Sequence, residues 1–225
     1  MDRLHGIIPC LLAALIAGGH LTEPCFAYED EGFQFWTSVG ASLDINKDWK
    51  CTFEEEFRLG DDGGHFYYHH SDLGFTYKGL ADWLDLGFNY RQVYEEDSAG
   101  EWRVEHRPHL NLTVKSRIFD LDVSNRARIE YRDREVKQDV WRYRHKVTVK
   151  LPFELTDLKL KPYVADEFFI TLNDDNVDRN RVYSGASFDL AKNIEANIYY
   201  LWQASRTTTE WQGINVLGTQ LRIRF

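Results

Sequence analysis

From Phe33 to Phe225 the chain alternates apolar and polar residues with a period of two, and the final alternation ends on the last residue. Leu217, Thr219, Leu221, Ile223 and Phe225 share one parity; Gly218, Gln220, Arg222 and Arg224 share the other. Successive side chains on a strand point to opposite faces, so this pattern gives a ribbon with hydrocarbon on one side and charge on the other. A ribbon of this kind that closes on a C-terminal Phe suits the last strand of an outer-membrane β-barrel, where alternate residues touch lipid. Leu221, Ile223 and Phe225 are read as the C-terminal assembly signal, and barrel-assembly machinery as the partner that recognises it.

The same period recurs in about eleven stretches, with no helical stripe between them. They run Phe33 to Ile45, Trp49 to Leu59, Phe66 to Lys78, Trp83 to Tyr94, Trp102 to Lys115, Phe119 to Tyr131, Val140 to Leu151, Leu158 to Leu172, Arg181 to Leu190, Ile194 to Ala204 and Gly213 to Phe225. Many exceed the ~5–6 residues usual in globular strands and match the ~9–11 that cross a bilayer at a tilt. The connections alternate in length. Asn46-Lys47-Asp48, Lys78-Gly79-Leu80-Ala81-Asp82 and Ala191-Lys192-Asn193 are short; Gly60 to His65, Glu95 to Glu101, Asp133 to Asp139, Asn173 to Asn180 and Ser205 to Gln212 are longer and polar. Short turns face the periplasm and longer loops face outward in this class.

The expected fold is therefore all-β: an antiparallel transmembrane β-barrel of ten to twelve strands with short periplasmic turns, occupying residues 28–225. An odd count of about eleven conflicts with the even numbers of bacterial barrels. Strict up-and-down counting back from Phe225 also starts the Phe33 strand at the outer end. Either a segment is missed, merged or not spanning, or Tyr28 to Gly32 threads back through the lumen.

The N-terminus points to the same compartment. Arg3, the apolar run Ile7 to Ala17 and then Cys25-Phe26-Ala27 read as a secretory signal peptide over residues 1–27. The apolar run is too short for the ~20 residues of a spanning helix. Pro9 and Pro24 precede Cys10 and Cys25 where a lipidation motif has a small residue, and cleavage leaves Cys51 as the remaining thiol. A mean hydropathy of -0.49 would ordinarily describe a soluble protein, but in a barrel only alternate residues meet lipid. The chain is 15% aromatic, with 7 Trp and 12 Tyr, side chains suited to membrane interfaces. A net charge of -9 gives no basic footprint for nucleic acid. The expected location is the bacterial outer membrane, with membrane lipid and lipopolysaccharide as partners.

Placing the apolar set outward sends the charges into the lumen. Leu84, Leu86, Phe88 and Tyr90 face out with Asp85, Gly87, Asn89 and Arg91 in; the strands around Arg126 and Arg144 repeat the arrangement. The resulting lumen charge ladder is Arg103, Glu105, Arg107, Arg126, Arg128, Glu130, Arg142, Arg144, Glu167 and Arg181. Cross-strand neighbours lie ~5 Å apart, so opposite charges can pair directly. Two readings follow: a charged constriction that selects solutes by sign, or a packed plug of Arg and Glu filling a narrow barrel, the plug being preferred. Glu55 and Asp166 fall on the lipid-facing parity, which implies a rim position or a bulge, and Pro108 and Pro162 are candidate bulge positions.

Phe35-Trp36, Glu56-Phe57-Arg58, the run from Asn125 to Arg132, Arg142-Tyr143-Arg144, Asp166-Glu167-Phe168-Phe169 and the closing strand together resemble the bacterial family "domain of unknown function 2490". The resemblance spans nearly the whole mature chain. It implies an outer-membrane barrel and brings no catalytic residues.

Barrels that hydrolyse or transfer acyl chains place a Ser and a His near the rim. His70 and Ser71 are adjacent, so they face opposite sides; His69 and Ser71 share a face, without a third orienting residue evident in sequence. His65 and His69 share a parity near Asp61 and Asp62, but residues four apart on a strand are separated by ~13 Å, so a girdle of imidazoles with Tyr67 and Tyr68 is preferred to a metal site. The acidic loops Asp61-Asp62, Glu95-Glu96-Asp97 and Asp174-Asp175 read either as sites for divalent cations that bridge lipopolysaccharide or as solvated charge, the latter being the usual role of such runs. No catalytic residue, metal or cofactor is expected. The reading is a narrow pore or structural barrel whose small solute is unspecified. The alternatives are a barrel enzyme acting on membrane lipids and a soluble periplasmic β-barrel or sandwich binder.

Overall fold

The structure, a computed structural model, describes residues 32–172, 176–207 and 210–225. The expected signal peptide, Tyr28 and its neighbours up to 31, and the Asp174-Asp175 loop lie outside the described residues. The strands are β1 (Gly32–Asp44), β2 (Trp49–Gly60), β3 (His65–Ala81), β4 (Leu84–Glu96), β5 (Trp102–Ile118), β6 (Leu121–Arg134), β7 (Val140–Lys150), β8 (Lys161–Thr171), β9 (Asn176–Ala191), β10 (Ile194–Arg206) and β11 (Trp211–Arg224). They form one closed barrel in sequence order. A single 3-10 turn, Asp61–Gly63, joins β2 to β3, and no helix among the described residues is long and apolar enough to cross a membrane.

The odd strand count is real, and it corrects the expectation of a wholly antiparallel barrel. Ten consecutive neighbours pair antiparallel, so an odd set leaves the first and last strands running the same way, and the barrel closes through a parallel β1–β11 pair. Its register runs from Gly32 opposite Ile214 to Ser42 opposite Arg224, and the Phe225 N–H completes it by donating to the Ser42 carbonyl at 2.8 Å. No segment is missed or merged. β1 starts at the long-loop end and runs with β11.

Closure removes the free edges that would leave backbone donors and acceptors unpaired. Period-two sequence then decides which side each residue takes. Leu86, Phe88, Leu110, Ile198 and Leu217 stand exposed on the outside, while Trp36, Leu201, Ile214, Val216 and Phe169 are buried inside. Leu221, Ile223 and Phe225 have the outward parity, and Phe225 remains 71% exposed.

Local irregularities depart from the sequence reading in four places. The β5–β6 turn holds Phe119 and Asp120, both at positive φ (48° and 66°), so the hairpin turns there rather than beginning a strand at Phe119. Positive φ at both central residues is what a two-residue primed hairpin turn needs, although Asn-Gly fills it more cheaply. The connection from Lys150 to Lys161 is long although it lies at the short-turn end; the expected strand start at Leu158 instead lies in the turn closed by a Leu155–Leu160 bridge. Pro108 interrupts pairing with β6 without shifting its register, and Pro162 pairs in register with Ala186. The register shifts fall at Arg58/Leu59, Tyr77/Ala81, Phe169/Ile170 and Ile194/Glu195.

Candidate functional site

The lumen is packed with side chains at mid-height. Glu130 and Glu167 are each 1% exposed, Phe169 1%, Arg142 3% and Trp36 3%. Glu130 sits directly across from Arg142 and hydrogen-bonds it, and it also accepts from Arg144 Nη1 at 3.4 Å. Glu167 accepts from Arg144 Nη2 at 2.8 Å, Arg126 Nη2 at 2.7 Å and the Tyr183 hydroxyl at 3.0 Å. Glu105 takes a double hydrogen bond from Arg107 (2.5 and 2.9 Å) and another from Arg132 (2.5 and 2.8 Å). A planar guanidinium offers two parallel donors to a carboxylate, which fixes orientation as well as energy.

Several directly opposed pairs are like-charged: Arg128 faces Arg144, Arg126 faces Lys146 and Arg91 faces Arg107. Like charges opposite each other on a sheet are destabilising. The carboxylates offset this by reaching diagonally or along their own strand, as in Glu56 to Arg58 (2.5 Å) and Glu105 to Arg107. Simple cross-strand pairing of opposites therefore describes only part of the ladder. All ten ladder residues take the inward parity, but Arg103 lies at the rim, where it donates to Asp97 at 2.7 Å. That contact, the largest influence on the loop carboxyl, holds Asp97 below the usual carboxylate range.

Rings complete the packing. The guanidinium carbons of Arg144, Arg181, Arg142 and Arg179 lie 4.5, 4.9, 5.3 and 5.7 Å from the centre of Phe169. Arg58 is clamped between Trp36 (3.7 Å) and Tyr68 (4.0 Å). Cation–π attraction of this kind is strongest where the cation is desolvated. Across the lumen the wall is apolar: Trp36, Ala165, Tyr183, Leu201, Ile214 and Val216 form one cluster, with Tyr163 and Tyr199 packed on it. Ile214 and Val216 take the inward parity on β11, so the lumen that carries the charge ladder also has an apolar side.

Above the packed layer the lumen opens at the long-loop end. One cavity of about 450 Å³ is lined by His65, Glu95, Asp97, Arg103 and Glu135 among others. A second, of about 370 Å³, reaches down to Phe169 and is walled by ten basic side chains and one carboxylate, Glu95.

The histidines separate. A bulge at Tyr67, the extra residue between the Arg58–Tyr68 and Leu59–Phe66 pairs, flips the parity, so His65 and His69 do not share a face. His65 lines the upper cavity and contacts Glu96 at 2.5 Å. Tyr67 and Tyr68 are buried inside (1% and 2%) rather than part of an outer girdle; the outer row is Phe57, His69 and Tyr94, with Phe66 stacked toward Trp102. His69 is stacked between Phe57 and Tyr94 and bonded to Glu55 at 2.8 Å. Glu55 is the orienting residue that sequence did not disclose, because it lies on a different strand; it faces Ser71 directly across the ladder. Asp166, also outward, accepts from Asn180 at 3.1 Å.

His70 is fully buried in the lumen, 3.6 Å from Glu54 and 3.7 Å from Glu56, with neither ring nitrogen hydrogen-bonded. The three donor groups lie within 4.8 Å of one another. Two oxygens and an imidazole suit a divalent transition metal. A cation there would have to displace Arg58, which already holds the same Glu56 oxygen. The inward Glu-x-Glu spacing was legible in sequence; its meeting with His70 was not.

The family model described as "Protein of unknown function (DUF2490)" matches residues 33–213. The chain belongs to that family. No curated protein matches it. Among solved structures this DUF2490 barrel is similar to LpxR from Salmonella typhimurium, with TM-score 0.49 and 11% identity over 78% of this chain and 83% of the other. It is also similar to an anion-selective porin from Comamonas acidovorans, with TM-score 0.38 and 10% identity over 76% of this chain and 55% of the other. Likenesses this distant transfer no activity to the DUF2490 barrel.

Proposed function

We propose that the chain is a bacterial outer-membrane β-barrel whose lumen is closed by its own side chains, a structural or binding barrel rather than an open pore. The observation that carries this is the mid-lumen layer of Glu130, Glu167, Arg142, Arg144, Phe169 and Trp36, each nine-tenths buried or more. A barrel of ~8 strands is filled by side chains and one of ~16 holds an aqueous channel. Eleven strands with arginines and aromatic rings pointing inward behave as the smaller kind. The membrane location is supported by the exposed hydrocarbon outside and by strands of 11 to 17 residues. Membrane lipid and lipopolysaccharide would contact that surface, the assembly machinery would read Leu221, Ile223 and Phe225, and residues 1–27 would be removed on export. With the short turns in the periplasm, the cavities open outward.

Extraction should require detergent, and gel mobility should change on heating. Planar-bilayer recordings of the purified barrel should show no resolved conductance, while Phe169→Ala with Trp36→Ala opens one. A steady conductance in the unmodified protein refutes the closed lumen.

A second reading is lipid acyl hydrolysis on the outer face, favoured by one specific observation, the His69–Glu55 bond beside outward-facing Ser71. A base held by a carboxylate near a hydroxyl is the arrangement of a hydrolytic triad. Release of fatty acid from phospholipid or lipopolysaccharide micelles, abolished by Ser71→Ala, would establish it; equal release in both proteins would remove it.

A further inference from the structure

We propose that the inner cavity is a binding site for a small, multiply charged phosphate-bearing anion. The inference deepens the closed-barrel reading, because a blind vestibule retains a ligand that an open pore would pass.

The first argument is charge. The protein carries a formal -9, yet this cavity is walled by ten basic side chains against the single carboxylate of Glu95. Four guanidiniums, Arg142, Arg144, Arg179 and Arg181, converge on Phe169. Their nearest carboxylates, Glu130 and Glu167, are already engaged by Arg142, Arg144 and Arg126. Cations this crowded and this far from solvent repel strongly unless an anion joins them.

The second argument is unused donor capacity. Arg142, Arg107 and Arg181 are each more than nine-tenths buried, so the site is built into the wall. Among the described residues Arg179, Arg181 and Arg134 form no ion pair with a carboxylate; Arg181 donates to the neutral Gln203 side chain, at 2.7 Å. The Nε groups of Arg134 and Arg179 are buried and without any hydrogen-bond acceptor. A buried donor with no acceptor is costly, and a phosphate oxygen is the acceptor that planar guanidiniums fit two bonds at a time.

The third argument is size and access. A volume of about 370 Å³ is on the scale of small-molecule sites and leaves room for a phosphorylated headgroup or a free oligophosphate. Arg132, Arg134, Lys137 and Glu95 border both this cavity and the wider one above it, which gives an entry path from the long-loop end.

The experiment is titration calorimetry of the full barrel in non-ionic detergent with inorganic pyrophosphate, alongside reconstituted protein titrated into vesicles containing a bisphosphorylated glycolipid. The test variant is Arg179→Gln with Arg181→Gln, which strands no carboxylate and so spares folding. Lys150→Gln, at the turn end of the same lumen, is the control. Saturable binding that weakens roughly tenfold or more in the double variant, is kept in the control and declines with added salt supports the site. Binding in only the soluble arm assigns the ligand as free phosphate compounds; binding in only the vesicle arm assigns it as a lipid headgroup. No saturable heat in either arm, or equal affinity in the folded double variant, overturns the proposal. Conductance recorded on the same preparation separates the two claims. An open channel with intact, Arg179- and Arg181-dependent binding refutes the closed lumen and leaves the anion site standing.

Discussion

The two halves of the lumen wall solve one packing problem with opposite chemistry. β2 to β7 point Glu, Asp, Arg and His inward and pair many of the arginines through Glu105, Glu130 and Asp72, the last accepting from Arg91 at 2.7 Å and Asn89 at 2.8 Å. β9 to β11 and β1 point Tyr183, Tyr199, Leu201, Ile214, Val216 and Trp36 inward and fill space by shape. There Tyr199 lies between Gly185 and Gly218, its direct partners on the two neighbouring strands, and its ring covers Gly218 so closely that an added Cβ would sit 2.0 Å from Cζ. The charged wall supplies most of the cavity lining and its donors; the apolar wall adds Arg179 and Arg181 of β9, where it meets the charged one. A surplus of one sign cannot be packed away by shape, so binding capacity gathers on the charged side and where the two walls meet at Phe169 and Arg181.

The largest effect should come from unbalancing the charged wall. Glu130→Ala strands buried Arg142 and takes one of two carboxylate partners from Arg144, and should cost about 3–5 kcal/mol in urea unfolding of the barrel. Replacing Glu130 and Arg142 together by Leu should recover most of that, and a single-variant loss below about 1 kcal/mol would remove the contrast between the walls. On the apolar wall Ile214→Ala leaves only a cavity, and a smaller loss of about 2–3 kcal/mol is expected in the same assay, with no dependence on salt. Gly218→Ala should cost roughly 1–3 kcal/mol by overpacking against Tyr199. Because the two residues touch, a Tyr199→Leu background should cut that cost; simple additivity would mean the ring is free to move aside.

The smallest effect belongs to the rim. Asp97 is held below its ordinary value chiefly by the Arg103 hydrogen bond, so its contribution is present above the unfolded carboxylate pKa of about 3.9 and is lost as pH falls through the lower folded value. Thermal unfolding compared at pH 7 and near pH 3 should show a slightly larger acid-induced drop in the parent than in Asp97→Asn. An identical drop in both would detach this contact from stability.

Much of this contrast was legible as parity. The inward places of Arg126, Arg128, Glu130, Arg142, Arg144 and Glu167, and the outward places of Leu221, Ile223 and Phe225, follow from counting by two, because a strand has only two faces. Parity failed where one residue was added. The bulge at Tyr67 brought Tyr67 and Tyr68 both inside and parted His65 from His69, and nothing in the run from His65 to His70 marks which residue is extra. Partners on other strands were equally hidden: His69 with Glu55, His70 with Glu54 and Glu56, Arg144 with both Glu130 and Glu167.

Sequence by itself determined an all-β chain with hydrocarbon on one parity and charge on the other, since alternation is a local property of each strand. Only the tertiary structure decided that eleven strands close through a parallel seam, that Ile214 and Leu201 face arginines across a filled lumen, and that ten cations surround one cavity. Closure and register join residues more than a hundred positions apart, and the field inside a barrel is the sum over all its strands, which no single strand encodes.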